Sequence, residues 1–165
     1  MHILVCTQKP RWDYFCGYYF PLRMARQMLK NQGITCHFAT LAMLFSNKKT
    51  WDVIIIDSTC LDDRGERLSL ISAARIRTKR LFWFDRRDSA GTAQFDVLPF
   101  VDRYFKMQLY RDRSLYQRPL YGGRLYTDWY HRRFNIQDTV PYEDVNVSDP
   151  RLLDKLAVSW NLGGS

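Results

Sequence analysis

The sequence predicts an α/β fold, a Rossmann-like three-layer sandwich with a mostly parallel sheet and an irregular C-terminal lobe. Short apolar runs alternate with stretches of helical periodicity up to about residue 85. That alternation is typical of a parallel sheet with helices on its faces. After residue 107 the periodicity is lost, and Tyr, Arg and Asp become frequent. The length of 165 residues suits one domain, so we interpret 1–165 as a single unit.

The predicted strands are short runs rich in isoleucine, valine and aromatic residues, as buried parallel strands are. A shorter, weaker pattern follows the fourth run and predicts one more strand before the lobe. The strands are expected at 2–7, 34–41, 51–57, 79–85 and within 97–107.

Helical periodicity fills the intervals between these strands. Gly33 is placed as the C-terminal stop of the first helix, and Asp62 or Asp63 as the N-cap of a later one. Asp149 followed by Pro150 predicts the start of a C-terminal helix. The helices are expected at 18–32, 41–45 (one turn), 61–78 and 150–160. Between them and the end of the sheet, residues 108–148 are predicted to form the lobe, with loops and short helices up to 130 and an extended segment over 132–149.

The chain is basic. It has 25 Lys and Arg against 17 Asp and Glu, a formal net charge of +8. A basic surface favours anionic partners such as nucleic acid, sugar phosphates or an anionic membrane surface. The charge is spread along the chain, however, as it is when basic residues merely solvate a surface. Charge alone therefore selects no function.

Several functional classes lack their motifs. No apolar run is long enough to span a bilayer, and residues 1–6 lack the basic start of a signal peptide, so we expect a cytoplasmic protein. Cys6, Cys16, Cys36 and Cys60 form no C-x-x-C pair, which favours reduced thiols over a zinc or redox site. No glycine-rich nucleotide-binding motif occurs. We predict neither a metal nor a cofactor.

Candidate catalytic residues follow the fourth strand. Asp85 and Asp88 emerge where that strand ends, and ligands of open α/β sheets bind outside the carboxyl ends of the strands. A carboxylate there can accept a proton from a hydroxyl nucleophile, and the flanking Arg86 and Arg87 could hold a phosphate. The alternative is an ordinary loop rich in aspartate and arginine.

The lobe supplies the other candidates. Asp128 and His131 are three residues apart, so a helical turn would place them on one face, and a histidine held by a carboxylate can act as a general base. A routine surface pair is the alternative. The aromatic rings suit sugar stacking, base stacking or simple packing. The residues expected to bind substrate or its anionic groups are Lys106, Arg111, Arg124, Tyr126 and Asp128.

A receiver-like phosphorylation switch is a further interpretation. Asp57 ends a strand as a phosphoacceptor does, and Lys106 could match the receiver lysine. A receiver also needs an acidic pair after the first strand to hold magnesium. Residues 7–11 of this chain read TQKPR instead, and their positive charge would repel the metal.

One set of segments resembles a known family. Residues 84–89 (FDRRDS) and 101–112 (VDRYFKMQLYRD), with 122–131 (GGRLYTDWYH) and 156–163 (LAVSWNLG), resemble the N-terminal half of bacterial glycosyltransferase-like proteins from surface-polysaccharide clusters. The resemblance covers the second half of the chain. The first half matches only as a general Rossmann-like pattern.

The resemblance implies the acceptor-side domain of a GT-B glycosyltransferase, which moves a sugar from a nucleotide-sugar donor to a glycan or lipid-linked acceptor. The donor would be held by a C-terminal domain or a separate chain, since this sequence ends near the expected domain junction. Asp88 or Asp85 would be the base, and His131 would assist proton transfer. GT-B enzymes usually need no metal. The alternative function is a non-catalytic binding module for nucleic acid or an anionic glycan.

Overall fold

A parallel sheet of six strands forms the centre of the structure, a computed structural model that describes residues 1–7, 18–46, 48–58, 61, 63–137 and 146–160. Every strand pairs in parallel with its neighbours, in the order β2-β1-β3-β4-β5-β6. The expected α/β Rossmann-like class is confirmed. The strands are β1 (His2–Thr7), β2 (Thr35–Thr40), β3 (Val53–Asp57), β4 (Leu81–Asp85), β5 (Arg103–Lys106) and β6 (Leu156–Val158).

The helices lie where the periodicity predicts them, with shorter bounds. The stretch 18–32 forms two helices that meet at Ala25, and Gly33 follows them with a φ of 74°. Asp63 caps the long helix by accepting a hydrogen bond from the Glu66 N–H at 2.9 Å, which selects it over Asp62, a residue outside the described ranges. Among the described residues the α-helices are α1 (Phe20–Met24), α2 (Arg26–Asn31), α3 (Ala42–Ser46), α4 (Arg64–Arg75) and α5 (Leu125–Phe134).

The sheet is covered on both faces because successive side chains of a strand point in opposite directions. On one face, Ile54 and Ile56 of β3 pack in a cluster with Leu70 and Ile71 of α4. On the other face, Val53 and Ile55 lie in a cluster with Tyr18, Tyr19 and Phe84. Both faces are apolar, which explains why the strands read as continuous apolar runs rather than alternating ones.

The strand order makes the sheet doubly wound. After β2 the chain returns to the other side of β1, so the order reverses between β1 and β3. Because all strands are parallel, their C-terminal ends lie along one side of the sheet, which we call the carboxyl edge. Ligands of doubly wound sheets bind at this edge. The predicted loop at 8–17, with Cys16, lies outside the described residues, as does Cys60; Cys6 and Cys36 are free thiols.

The prediction of a C-terminal helix over 150–160 was wrong beyond its first turn. Asp149 does cap a 3-10 helix, Pro150–Lys155, by accepting from the Arg151 N–H at 3.0 Å. The chain then forms β6, which pairs with β5 through Tyr104 and Leu156. Backbone pairing at an open sheet edge overrides the helical pattern here, since a single helical turn has little stability of its own.

Two other boundaries also differ from the prediction. Phe95–Phe100 is a 3-10 helix with Pro99 inside it, so the fifth strand contains only Arg103–Lys106. The segment expected to be extended from residue 132 begins inside α5, which continues to Phe134 and ends at Asn135 with a φ of 52°. Residues 138–145 and the C-terminal 161–165 lie outside the described ranges.

Candidate functional site

Three charged residues end three neighbouring strands. Asp57 is the last residue of β3, Asp85 of β4 and Lys106 of β5. Asp85 and Lys106 are also partners in the strand register. All three are buried, with a relative exposure of 0%. The carboxyl edge of the sheet is therefore built on charges withdrawn from water, and such charges need partners because burial disfavours the ionised form.

Asp85 and Lys106 are those partners. The Lys106 Nζ lies 3.1 Å from one Asp85 oxygen, and the Tyr104 hydroxyl donates to the same oxygen at 2.6 Å. Burial lowers the pKa of Lys106, and Asp85 opposes that shift. Burial and the neighbouring Asp85 raise the pKa of Tyr104 well above its ordinary value. Tyr104 therefore remains a hydrogen-bond donor to the carboxylate, and its oxygen accepts from the Gln94 N–H at 2.9 Å.

A second buried ion pair lies beside the first. The Arg86 guanidinium donates to Asp57 at 3.0 Å, and the two side chains are only 7% and 1% exposed. The Arg86 N–H donates to the Ser58 hydroxyl at 3.1 Å, and its guanidinium lies 5.2 Å from the centre of the Tyr18 ring. Asp57 is thus enclosed and neutralised. This geometry does not favour the receiver interpretation, because a phosphoacceptor must be open to its phosphodonor.

These pairs fix the loop that carries Asp88. The Arg87 N–H donates to Asp85 at 2.9 Å, and the Arg87 carbonyl accepts from Lys106 at 2.9 Å. With the bond from Arg86 to Ser58, both residues that precede Asp88 are held through their backbones. Asp88 itself is exposed. Of the two predicted bases, Asp85 is committed to structural bonds, whereas Asp88 presents its carboxylate to solvent.

The lobe packs on the continuation of that loop. The Tyr116 hydroxyl donates to the Ala90 carbonyl at 3.0 Å, and the Arg124 guanidinium donates to the Thr92 hydroxyl at 3.2 Å. Gly91 lies so close to the lobe that a Cβ atom there would be 2.1 Å from the Gly123 carbonyl oxygen. The structure therefore brings Arg124 against the segment that begins at Asp88.

Asp128 and His131 share α5, as predicted, but each has a different partner. Asp128 accepts from the Tyr121 N–H at 3.0 Å and pairs with Arg132 at 2.9 Å. The His131 ring stacks on the Tyr121 ring, with centroids 3.8 Å apart, and its Nδ1 lies 2.8 Å from the Ile136 carbonyl oxygen. Both residues thus hold the turn before α5, and a backbone carbonyl rather than a carboxylate orients the histidine.

The remaining predicted ligands differ in exposure. Lys106 is enclosed by its bonds to Asp85 and Arg87, whereas Arg111 is exposed. Tyr126 is 55% exposed, and its hydroxyl accepts from Arg124 at 2.6 Å. Arg111, Arg124 and Tyr126 are accordingly the predicted binding residues that a ligand could reach.

Sequence reasoning missed the group that covers the opposite side of the edge. Tyr18 donates to the Ser159 hydroxyl, while the Trp160 indole donates to the Tyr18 carbonyl. Burial raises the pKa of Tyr18 to about 12, so it stays protonated. These residues are about 140 positions apart, and no local pattern could join them. A usable signal did exist for the buried charges, since each is the last residue of an apolar run.

Other surfaces were searched for a site. A cavity of about 830 Å³ opens at the amino ends of the strands, away from Asp88, and its lining includes Asp52, Arg77 and Arg80. Within the described ranges, no three His, Cys, Asp or Glu side chains converge as they would on a metal ion. In the same part of the chain, no helix is long and apolar enough to cross a membrane.

Comparisons with known proteins add no relative. No protein-family model matches this sequence, and no curated protein matches it at a significant level. Any assignment of function therefore depends on the chemistry of the carboxyl edge and the lobe.

Proposed function

We propose that the chain is the acceptor-side domain of a glycosyltransferase that moves a sugar from a nucleotide-sugar donor to a glycan or lipid-linked acceptor of surface-polysaccharide biosynthesis. The observation that carries this proposal is the exposed Asp88 on a loop held by buried ion pairs at the carboxyl edge. Catalytic groups need a support that is itself fixed by packing and hydrogen bonds. The resemblance of residues 84–89 and 101–112 points to the same chemistry.

In this mechanism Asp88 is the general base. Its carboxylate accepts the proton of an acceptor hydroxyl while that oxygen forms a bond to the anomeric carbon of the donor sugar. The bond between the anomeric carbon and the donor phosphate oxygen breaks, and the nucleotide leaves with the electron pair. The donor is held by a C-terminal domain or a separate chain. Arg124 and Arg111 bind anionic groups of the acceptor, and the Tyr126 ring offers a face on which a sugar can stack.

Exchanging Asp88 for asparagine tests the assignment. Asp88→Asn keeps the side-chain shape but removes the proton acceptor, so we expect a loss of sugar transfer of about 10²–10⁴-fold, the usual contribution of a general base. The measurement is transfer of labelled sugar by the complete enzyme from UDP-glucose, UDP-N-acetylglucosamine and GDP-mannose to a lipid extract of the source cells. Thermal unfolding of the variant should match that of the unchanged protein.

The matched control is Asp154→Asn, which alters another exposed aspartate beside β6. It should leave transfer unchanged. Full activity of Asp88→Asn would rule out the base role, and equal losses in both variants would point to a general effect of charge.

A second candidate is a binding module for single-stranded nucleic acid or an anionic glycan. The exposed rings of α5 beside Arg132 and Arg133 favour it, because proteins that bind single strands combine aromatic platforms with basic side chains. Binding that falls steeply with salt would distinguish this module from a transferase domain.

A further inference from the structure

The helix α5 has its polar side toward the protein. The Thr127 hydroxyl donates to the Tyr121 carbonyl at 2.6 Å, Asp128 accepts from the Tyr121 N–H, and His131 stacks on the Tyr121 ring. A surface helix normally turns its apolar stripe toward the core and its polar residues toward water. This helix is reversed, so burial in the fold cannot be the reason for its aromatic residues.

The outward side of α5 is apolar. Its five apolar residues and Arg133 fall on about half of the circumference of the helix at 3.6 residues per turn. None of the ten residues of α5 is buried. The Trp129 ring lies 4.8 Å from that of Tyr130 and 5.6 Å from that of Phe134, so the rings form one cluster. The exposed fractions of what we call the α5 aromatic face are Leu125 42%, Tyr126 55%, Trp129 55%, Tyr130 49% and Phe134 56%.

Positive charge accompanies this face. Arg132 and Arg133 are exposed, and the Arg133 guanidinium lies 6.0 Å from the centre of the Phe134 ring. Asp128 is the only acidic residue in the sequence of α5, and it pairs with Arg132. The face therefore combines aromatic rings and uncompensated cationic charge on a chain of formal net charge +8.

We infer that α5 docks this protein on an anionic membrane surface, with the α5 aromatic face in the headgroup region. Helices that lie in a membrane interface combine aromatic and aliphatic residues on one side with Lys and Arg. Tyrosine and tryptophan suit this depth because their rings are apolar and their tips are polar. The charge of Arg132 and Arg133 complements that of acidic lipids, which attract each basic residue near the surface.

The side chains of this region favour a membrane over nucleic acid. Leu125 and the 52% exposed Ile136 are aliphatic, and an aliphatic side chain offers no face on which a base can stack. The cluster lies on the convex surface of a helix, whereas single strands are held in grooves that follow their backbone. A flat bilayer interface can contact such a surface. The inference does not depend on the transferase proposal, although a lipid-linked acceptor would be found at the same surface.

Vesicle sedimentation tests this docking. The chain is mixed with vesicles of equal parts phosphatidylglycerol and phosphatidylcholine, or of phosphatidylcholine alone, and the bound fraction is measured. We expect binding to the anionic vesicles and at least about tenfold weaker binding to the neutral ones, as the electrostatic contribution of a few basic residues requires. Replacing Trp129, Tyr130 and Phe134 together by serine should reduce anionic-vesicle binding at least about tenfold, because the inserted apolar area is lost.

Two controls separate docking from general stickiness. Serine at Phe45, Ile76 and Phe100, which are equally exposed elsewhere, should leave vesicle binding unchanged. Arg133→Gln should weaken it, whereas Arg80→Gln, at the amino edge, should weaken it less. Equal binding by the Trp129, Tyr130 and Phe134 variant and the unchanged chain would overturn the inference. So would failure of the unchanged chain to bind anionic vesicles, or binding of a single-stranded oligonucleotide in their place.

Discussion

At the scale of single residues, the buried charges decide how the carboxyl edge works. Lys106 and Asp85 lie at 0% exposure, 3.1 Å apart, with the Tyr104 hydroxyl as a third partner. Removing two ions from water is costly, and a buried pair is weak grounds for claiming stability. Its effect here is geometric, because the same two side chains bond to both backbone groups of Arg87 and hold the loop before Asp88.

The dependence of Asp85 on Lys106 gives a stability prediction. Lys106→Met leaves a buried carboxylate without its cation, so the free energy of unfolding should fall by about 3–5 kcal/mol. Combining Lys106→Met with Asp85→Asn removes both charges, and the double variant should be more stable than the sum of the single losses implies. Chemical denaturation of the four proteins measures this coupling.

Lys79→Met serves as the control, since Lys79 is exposed, and it should change stability by less than about 0.5 kcal/mol. Strictly additive effects of the Asp85 and Lys106 substitutions would show that the pair does not interact as described.

Part of this site could be predicted at the residue scale. The position of Asp85, Asp88 and Lys106 near strand ends follows from apolar runs that stop at a charge. Which carboxylate remains exposed does not follow from sequence, because it depends on the distance from Asp85 to Tyr104 and Lys106 across the sheet. The exchange of partners by Asp128 and His131 was likewise invisible, since Tyr121 reaches α5 only through the turn at Gly122.

At the scale of elements, the contact between sheet and lobe is made by backbone rather than by long side chains. Gly91 approaches the Gly123 carbonyl and the Tyr110 hydroxyl so closely that a Cβ atom would lie 2.1 and 2.5 Å from them. The Gly122 and Gly123 φ angles of 64° and 67° form the turn that brings this carbonyl into place. The sequence suggested a loop at these glycines, but not its partner 32 residues earlier.

Gly91→Ala should separate the lobe from the loop that carries Asp88. A methyl group in this contact has no space, and overpacking of this kind costs about 1–3 kcal/mol in the free energy of unfolding. Adding Tyr110→Phe removes one of the two clashing oxygens but not the Gly123 carbonyl. The double variant should therefore remain less stable than Tyr110→Phe alone. Urea denaturation measures both differences, and an unchanged stability of Gly91→Ala would contradict the close contact.

At the scale of the whole molecule, the sheet was predictable and the lobe was not. Strands β1 to β4 are buried on both faces, so each reads as an apolar run whatever its neighbours are. The lobe instead depends on contacts between distant segments, such as Tyr116 with Ala90. Strand β6 depends on its pairing with β5. Local periodicity carries no information on such partners, and this is why residues 150–160 were interpreted as a helix.

The charge of the whole chain leads to the last prediction. An acceptor-side domain lacks the donor site, so the unchanged chain should show no saturable binding of UDP-glucose, UDP-N-acetylglucosamine, GDP-mannose or free nucleotides in calorimetric titrations. A net charge of +8 should still attract a single-stranded oligonucleotide weakly at low salt, through counterion release. That binding should disappear at moderate salt, because nonspecific phosphate contacts are lost steeply as salt rises.

The other outcomes of this titration each contradict a specific statement. Nucleotide-sugar binding that survives moderate salt would mean that the chain has a donor site of its own, and the acceptor-side assignment would be wrong. Tight oligonucleotide binding that persists in part at moderate salt, and is lost when Trp129 and Tyr130 are replaced by serine, would assign the α5 aromatic face to base stacking. The function would then be that of a nucleic-acid module, because stacked rings retain affinity when the electrostatic contribution is screened.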